Sequence, residues 1–126
     1  MAGFIDGEGC IRWVGGPRVE VTNTHLPILR EMKKWFGGEV YVCDSSGPRT
    51  AYRLTVGGDT AYDLLAAVVP YLCVKRMQAQ TVIDMTDKRR AGCLSKEATE
   101  RGMETLRVEK AVAFDIRSDE EVLGDD

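Results

Sequence analysis

At 126 residues and 14.0 kDa the chain is one domain's worth of sequence, and 44% hydrophobic with 29% charged residues is the balance of a globular protein, not of a disordered one. No apolar run approaches the roughly 20 residues that cross a bilayer, and no basic stretch leads into an apolar one at the N-terminus, so neither a membrane span nor a signal peptide is expected. The net charge of −3 argues against a protein coated in positive charge, yet residues 1–90 carry 12 basic and 10 acidic side chains while residues 91–126 carry 5 and 10, so the acidic excess is C-terminal and a basic face remains open elsewhere.

In chain order, residues 1–9 (MAGFIDGEG) place apolar residues at helical spacing and end on Gly9. Residues 10–15 and 18–23 alternate around the turn Gly15-Gly16-Pro17 and read as a β-hairpin. Thr24 is placed to cap a helix over 25–36, with Pro27 in its first turn and an apolar stripe of Ile28, Leu29, Met32, Trp35 and Phe36, ended by Gly37-Gly38. A second hairpin follows, with strands over 39–43 and 50–56. A helix over 60–68 is ended by Pro70, and another covers 75–90, with Ala79, Val82, Ile83 and Thr86 on one side. Ser95 caps a last helical region reaching Arg117, in which Gly102 is a candidate break. These divisions give one domain over 1–117, with a core of 1–90 and C-terminal helices over 91–117, then an acidic tail over 118–126 expected to be disordered.

The element order α-β-β-α-β-β-α-α-α predicts an α+β fold: an antiparallel sheet with helices on one face and the other face open. Alternation puts Ile11, Trp13, Val19, Val21, Val40, Val42, Tyr52, Leu54 and Val56 against the helices. Cys10, Arg12, Val14, Arg18, Glu20, Thr22, Glu39, Tyr41, Cys43, Ala51, Arg53 and Thr55 fall on the other face. A solvated face and a nucleic-acid platform both fit that mixture, and alternation alone does not choose. If the partner is DNA, Arg12, Arg18, Arg49 and Arg53 are the leading contacts, joined by Glu20, Thr22, Tyr41 and Thr55, because arginine reads guanine and short polar groups reach other base edges in the major groove.

Cys10, Cys43, Cys73 and Cys93 are far apart, form no CxxC pair and have no metal-ligand spacing to the lone His25, so a structural zinc is not expected and the thiols suit a reducing compartment. The N-terminal helix is more informative. Gly3 and Gly7 lie four apart beside Ala2, and each glycine inside a helix costs about 1 kcal/mol against alanine. Small residues at that spacing let a second backbone come close, and a copy of the same helix is the natural partner. Glu8 stands at the helix C-terminus, where the macrodipole disfavours an anion by roughly 0.3–1 kcal/mol. Two such carboxylates meeting across a two-fold axis would repel unless a cation lay between them, and hard oxygens suit Mg²⁺. A solvent-exposed acid beside a glycine cap is the plain alternative.

The segment Met1-Ala2-Gly3-Phe4-Ile5-Asp6-Gly7-Glu8-Gly9 resembles the LAGLIDADG motif of homing endonucleases. Gly3, Ile5, Asp6 and Gly9 coincide with motif letters, and the hairpin–helix–hairpin–helix order over 1–90 is similar to that family's αββαββα core. The resemblance implies a saddle-shaped antiparallel sheet that lies in DNA major grooves, and a metal-dependent hydrolase that cuts both strands across the minor groove to leave short 3′ overhangs. It implies a homodimer on a near-palindromic target, since only one motif is present, with Ala2, Gly3, Asp6 and Gly7 at the dimer contact. Glu8, helped by the Gly9 carbonyl, would hold Mg²⁺ or Mn²⁺. The stretch 70–78 resembles the segment that places a lysine near the active-site solvent, a role that falls on Lys75, and Asn23 matches a position that orders metal-bound water. Asp6 is expected to be structural. The implied partner is double-stranded DNA, with no membrane, no small-molecule cofactor and an intracellular location wherever the host intron or intein DNA resides. An intron-splicing maturase and a non-catalytic DNA-binding regulator of the same fold are the alternatives, and retention of Glu8 and Lys75 favours cleavage.

Overall fold

A computed structural model describes the backbone of residues 2–124 and the side chains of residues 2–112. The elements are α1 (Ala2–Glu8), β1 (Gly9–Trp13), β2 (Pro17–Asn23), α2 (Leu26–Phe36), β3 (Glu39–Asp44), β4 (Ala51–Gly57), α3 (Gly58–Val68), a 3₁₀ turn (Val69–Tyr71), α4 (Arg76–Arg90) and α5 (Lys96–Gly124). The four strands form one antiparallel sheet in the order β1-β2-β4-β3. The predicted α+β order is therefore observed, with a 3₁₀ turn where Pro70 interrupts the helical run.

The helix-facing side of the sheet supplies the core. Ile11, Trp13, Val19, Val21, Leu54 and Val56 are buried against Leu29, Met32, Leu64, Leu65, Ala79 and Val82 of the helices, with Ile5 of α1 fully enclosed. Two residues expected there are not. Val42 is 55% exposed, because β3 is the sheet edge and its register slips between Val42 and Asp44, leaving it at the rim of a groove beside α2. Trp35 is 61% exposed at the end of α2, where only Leu29 and Met32 of the expected stripe are buried. Its ring meets Phe36 edge-on at 6.3 Å instead of entering the core.

The start of α2 also differs from expectation. Thr24 does not cap it; His25 holds the N-cap position without a side-chain bond, and its N–H donates to Asn23 Oδ1 at 2.8 Å. Gly37 ends the helix as expected, at φ 72°, with its N–H on the Lys33 carbonyl.

The helix α4 is buried on two sides, with Gln78, Met85 and Thr86 enclosed besides Ala79, Val82 and Ile83, because α5 packs along it. Gly102 does not break α5. A Cβ there would fall 2.6 Å from Met85 Sδ, so its bare backbone makes room for the Met85 side chain between the two helices. The backbone of 118–124, expected as a tail, continues the helix, and Asp125 and Asp126 lie outside the described residues.

Glu109 of α5 is buried against α4, where Thr81 donates to its Oε1, while Oε2 has no partner among the described residues. Burial pushes its carboxyl above the ordinary glutamate value, and the Thr81 bond only partly offsets this. A raised carboxyl favours the fold below its unfolded pKa, and that contribution disappears as pH rises through the folded value. Glu109→Gln should accordingly raise stability at pH 7 by about 1 kcal/mol, or about 3–5 °C in Tm. At pH 4 the two thermal melts should nearly coincide; an equal gain at both pH values would refute this.

Candidate functional site

Helix α1 is anchored from one side. Ile5 points into the core, and a Cβ on Gly9 would meet the Ile5 carbonyl oxygen at 2.7 Å and Cα at 3.1 Å, so only glycine lets the chain leave the helix and enter β1 directly. Those contacts are backbone and cannot swing away. Gly9→Ala should cost about 2 kcal/mol, read as a lower denaturant midpoint. The other side of α1 carries Gly3 and Gly7, both exposed, and a Cβ on Gly3 would meet nothing within 4 Å among the described residues.

The end of α1 is tied to the segment before α4, 67–69 residues away in sequence. The Asp6 carboxylate accepts the backbone N–H groups of Cys73 (2.9 Å), Val74 (2.9 and 3.0 Å) and Lys75 (2.8 Å). In return the Lys75 ammonium donates to the Asp6 carbonyl oxygen, one of the carbonyls a helix end leaves without an intrahelical partner. Burial pushes the Asp6 carboxyl up, but the N–H groups of Val74, Lys75 and Cys73, aided by the Lys75 charge, pull harder and hold it below the ordinary aspartate value. Lys75 is thus a buried side chain at the C-terminus of α1, not a solvated lysine at the start of a helix. Sequence reasoning passes over Arg76, which braces the same turn through the Leu72 carbonyl (3.0 Å) and the Pro70 carbonyl (3.1 Å). An arginine four residues after a turn carbonyl is the only local signal for it.

Glu8 is exposed two residues beyond Asp6, and its carboxylate has no hydrogen bond or ion pair among the described residues. Asn23, two residues beyond Val21, the register partner of Gly9, lines a groove with Phe4, His25, Pro27, Ile28 and Glu31.

The open sheet face begins where α1 ends. Arg12 and Arg18 are cross-strand partners there. Pairing of β2 with β4 adds Arg53, whose Nε donates to Thr22 Oγ1 at 3.2 Å. Tyr41 of β3 lies opposite Arg53, and its hydroxyl is 3.2 Å from Thr55 Oγ1. The Tyr41 hydroxyl, and then the Glu20 charge, hold the Arg53 guanidinium above its ordinary value. Glu20 is buried among the arginines. Arg49 stands apart, exposed in the loop between β3 and β4.

No protein-family model and no curated protein matches this sequence. Solved structures do. The homing endonuclease I-CvuI, in complex with its target in the presence of calcium, is similar with a TM-score of 0.65 and 21% identity over 98% of this chain and 91% of that one. The archaeal intron-encoded homing endonuclease I-Vdi141I, complexed with DNA, gives 0.64 and 18% over 87% of this chain and 79% of that one. The LAGLIDADG meganuclease I-AabMI, bound to uncleaved DNA, gives 0.61 and 21% over 83% of this chain but only 42% of that one. This chain has the fold of the LAGLIDADG homing endonucleases. Within that LAGLIDADG fold the motif segment is α1 with the first residue of β1, so Glu8 sits at the junction between the glycine-bearing helix and the arginine-bearing sheet.

Proposed function

We propose that this protein is a site-specific DNA endonuclease of the LAGLIDADG homing type, working as a homodimer with a divalent metal ion on a long, near-palindromic duplex. The observation that carries this reading is the direct succession of Glu8 and β1. A carboxylate that is exposed and unpaired among the described residues ends a helix bearing exposed glycines, and the next residue starts the sheet whose free face holds Arg12, Arg18 and Arg53. Such a face binds duplex DNA through phosphates and base edges. The acid is then carried to the backbone beside it.

The dimer reading rests on what surrounds α1. Gly3 and Gly7 are exposed and add no side chain to its outer side, and Tyr71 (73% exposed) and Met77 (62% exposed) flank the turn tied to Asp6. Large apolar groups around a bare helix are what a second copy would cover.

The residues present fit a metal as half of a site. Among the described residues no three His, Cys, Asp or Glu side chains gather to hold one. The donor that is available, the Glu8 carboxylate, has the hard oxygens that Mg²⁺ and Mn²⁺ take, and Glu8 from two copies, the Gly9 carbonyl and DNA phosphate would complete the set. When bound, the metal supplies Lewis-acid polarisation of the phosphate and a hydroxide nucleophile. The chain supplies the rest. Lys75, buried at the end of α1 and bonded to the Asp6 carbonyl, would bring positive charge to the Glu8 end of the helix, where it would act on developing phosphoryl charge. Asn23 spends its Oδ1 on the His25 N–H, which leaves its amide NH₂ as the group that orders water or a phosphate oxygen. The enzyme would act inside the cell, wherever its target DNA resides.

Selection for cleaved sites from a randomised duplex library tests this reading. With Mg²⁺ we expect a near-palindromic site cut in both strands with 3′ overhangs, and no cutting in EDTA. Tight binding without strand breaks, or preference for intron RNA over every duplex, would overturn it in favour of a regulator or a maturase.

A further inference from the structure

Arg12 and Arg18 face one another directly across β1 and β2, an arrangement that like charges make unfavourable. What makes it tenable lies two residues along β2. Glu20 Oε1 accepts from Arg12 Nη1 at 3.2 Å and lies 3.8 Å from Arg18 Nη1, while its Oε2 is 3.8 Å from Arg53 Nη1 on the neighbouring strand. The Glu20 side chain is 9% exposed, and the three arginine side chains are 36–46% exposed. One carboxylate therefore sits beneath three guanidinium groups, and the cluster keeps a net positive charge towards solvent.

Resting on the DNA-binding reading above, we propose that Glu20 is a positioning residue that holds Arg12, Arg18 and Arg53 as a preformed guanidinium cluster for guanine-bearing steps of the target, and that it reads no base itself. A cytosine amino group would have to compete with Arg12 for Glu20 Oε1 and with the nearby Arg53 for Oε2. Arg12 and Arg53 are each held by a hydrogen bond and Arg18 by an ion pair, all three part-exposed, and a planar fork that is already oriented loses less freedom when it binds O6 and N7 of guanine. Arg53 is held twice, by Glu20 through Nη1 and by Thr22 through Nε.

The test measures binding of the full chain to its selected site and to a scrambled duplex across a range of salt concentrations, with site selection repeated for each variant. Glu20→Gln removes the charge and keeps the shape. Its affinity for scrambled DNA should rise about three- to tenfold, with a salt dependence steeper by about one counterion, because one guanidinium charge is uncovered. Its preference for the selected site should fall about tenfold or more, and the selected sequence should relax at two or more base pairs. Glu20→Asp, which keeps the charge on a shorter arm, should return scrambled-DNA affinity to the wild-type value. Relaxation at one base pair only would make Glu20 a reader and overturn the proposal. A matched loss of affinity for both duplexes, not recovered in Glu20→Asp, would also overturn it and leave a structural role. A wild-type protein that prefers no duplex at all would remove the DNA-binding reading itself, and this inference with it.

Discussion

Glu8→Gln should bind the selected duplex within about threefold of wild type and cut both strands at least about 10³-fold more slowly. The large effect follows from how little else is present. Glu8 is exposed and has no partner among the described residues, so neutralising it disturbs no contact of the fold. The other acid of α1, Asp6, is committed to the backbone N–H groups of Cys73, Val74 and Lys75, so it is not placed to take over the charge of Glu8. Because each copy supplies one acid, a mixture of wild-type and Glu8→Gln chains should yield nicked intermediates from the mixed dimers. Cutting rates of the pure variant, with affinity measured in parallel, decide the matter; undiminished cleavage would remove Glu8 from the chemistry.

Asp6→Asn should combine a stability loss with a loss of activity. The carboxylate accepts from three successive backbone N–H groups, and charge-assisted bonds of this kind are among the stronger ones in proteins. A cost of about 2 kcal/mol is expected, kept modest because the group is partly open to solvent. The sign of the pH dependence is fixed by the lowered carboxyl. Its contribution is present above the unfolded value of 3.8 and is lost as pH falls through the lower folded value. The wild type should therefore lead Asp6→Asn in denaturant midpoint at pH 7, and the difference should shrink towards pH 2–3. Cleavage should fall as well, by about 10-fold or more, because the same link seats Lys75 at the end of α1. A variant of full stability and full activity would mean that the link between α1 and the segment before α4 matters to neither.

Much of the architecture was legible because it is written in periodicity. Alternation over 10–23 and 39–56 gave both hairpins, and the apolar face it identified is the one that packs. What local pattern does not carry is extent and pairing. Val42 alternates correctly but sits on an edge strand with a register shift, and Trp35 stays exposed while the next residue, Phe36, packs against the core. Gly102 looks like a helix breaker until Met85 of α4 is placed against it. The candidate site divides in the same way. Glu8, Gly3 and Gly7 could be singled out from helix chemistry and the motif, since one short segment holds them all. The link between Asp6 and Lys75 spans 69 residues and leaves no local trace. The role of Glu20 was hidden for a topological reason. Arg53 reaches it only because β4, and not β3, pairs with β2, so the arginine cluster exists in the sheet and in no stretch of sequence.

The mass of the target-bound complex bears most directly on whether two copies of α1 build the cutting site. Sedimentation or native mass measurement on the selected duplex should find two 14.0 kDa chains per DNA. One chain per duplex in a preparation that cuts both strands would contradict the pairing of two α1 helices on which the mechanism depends.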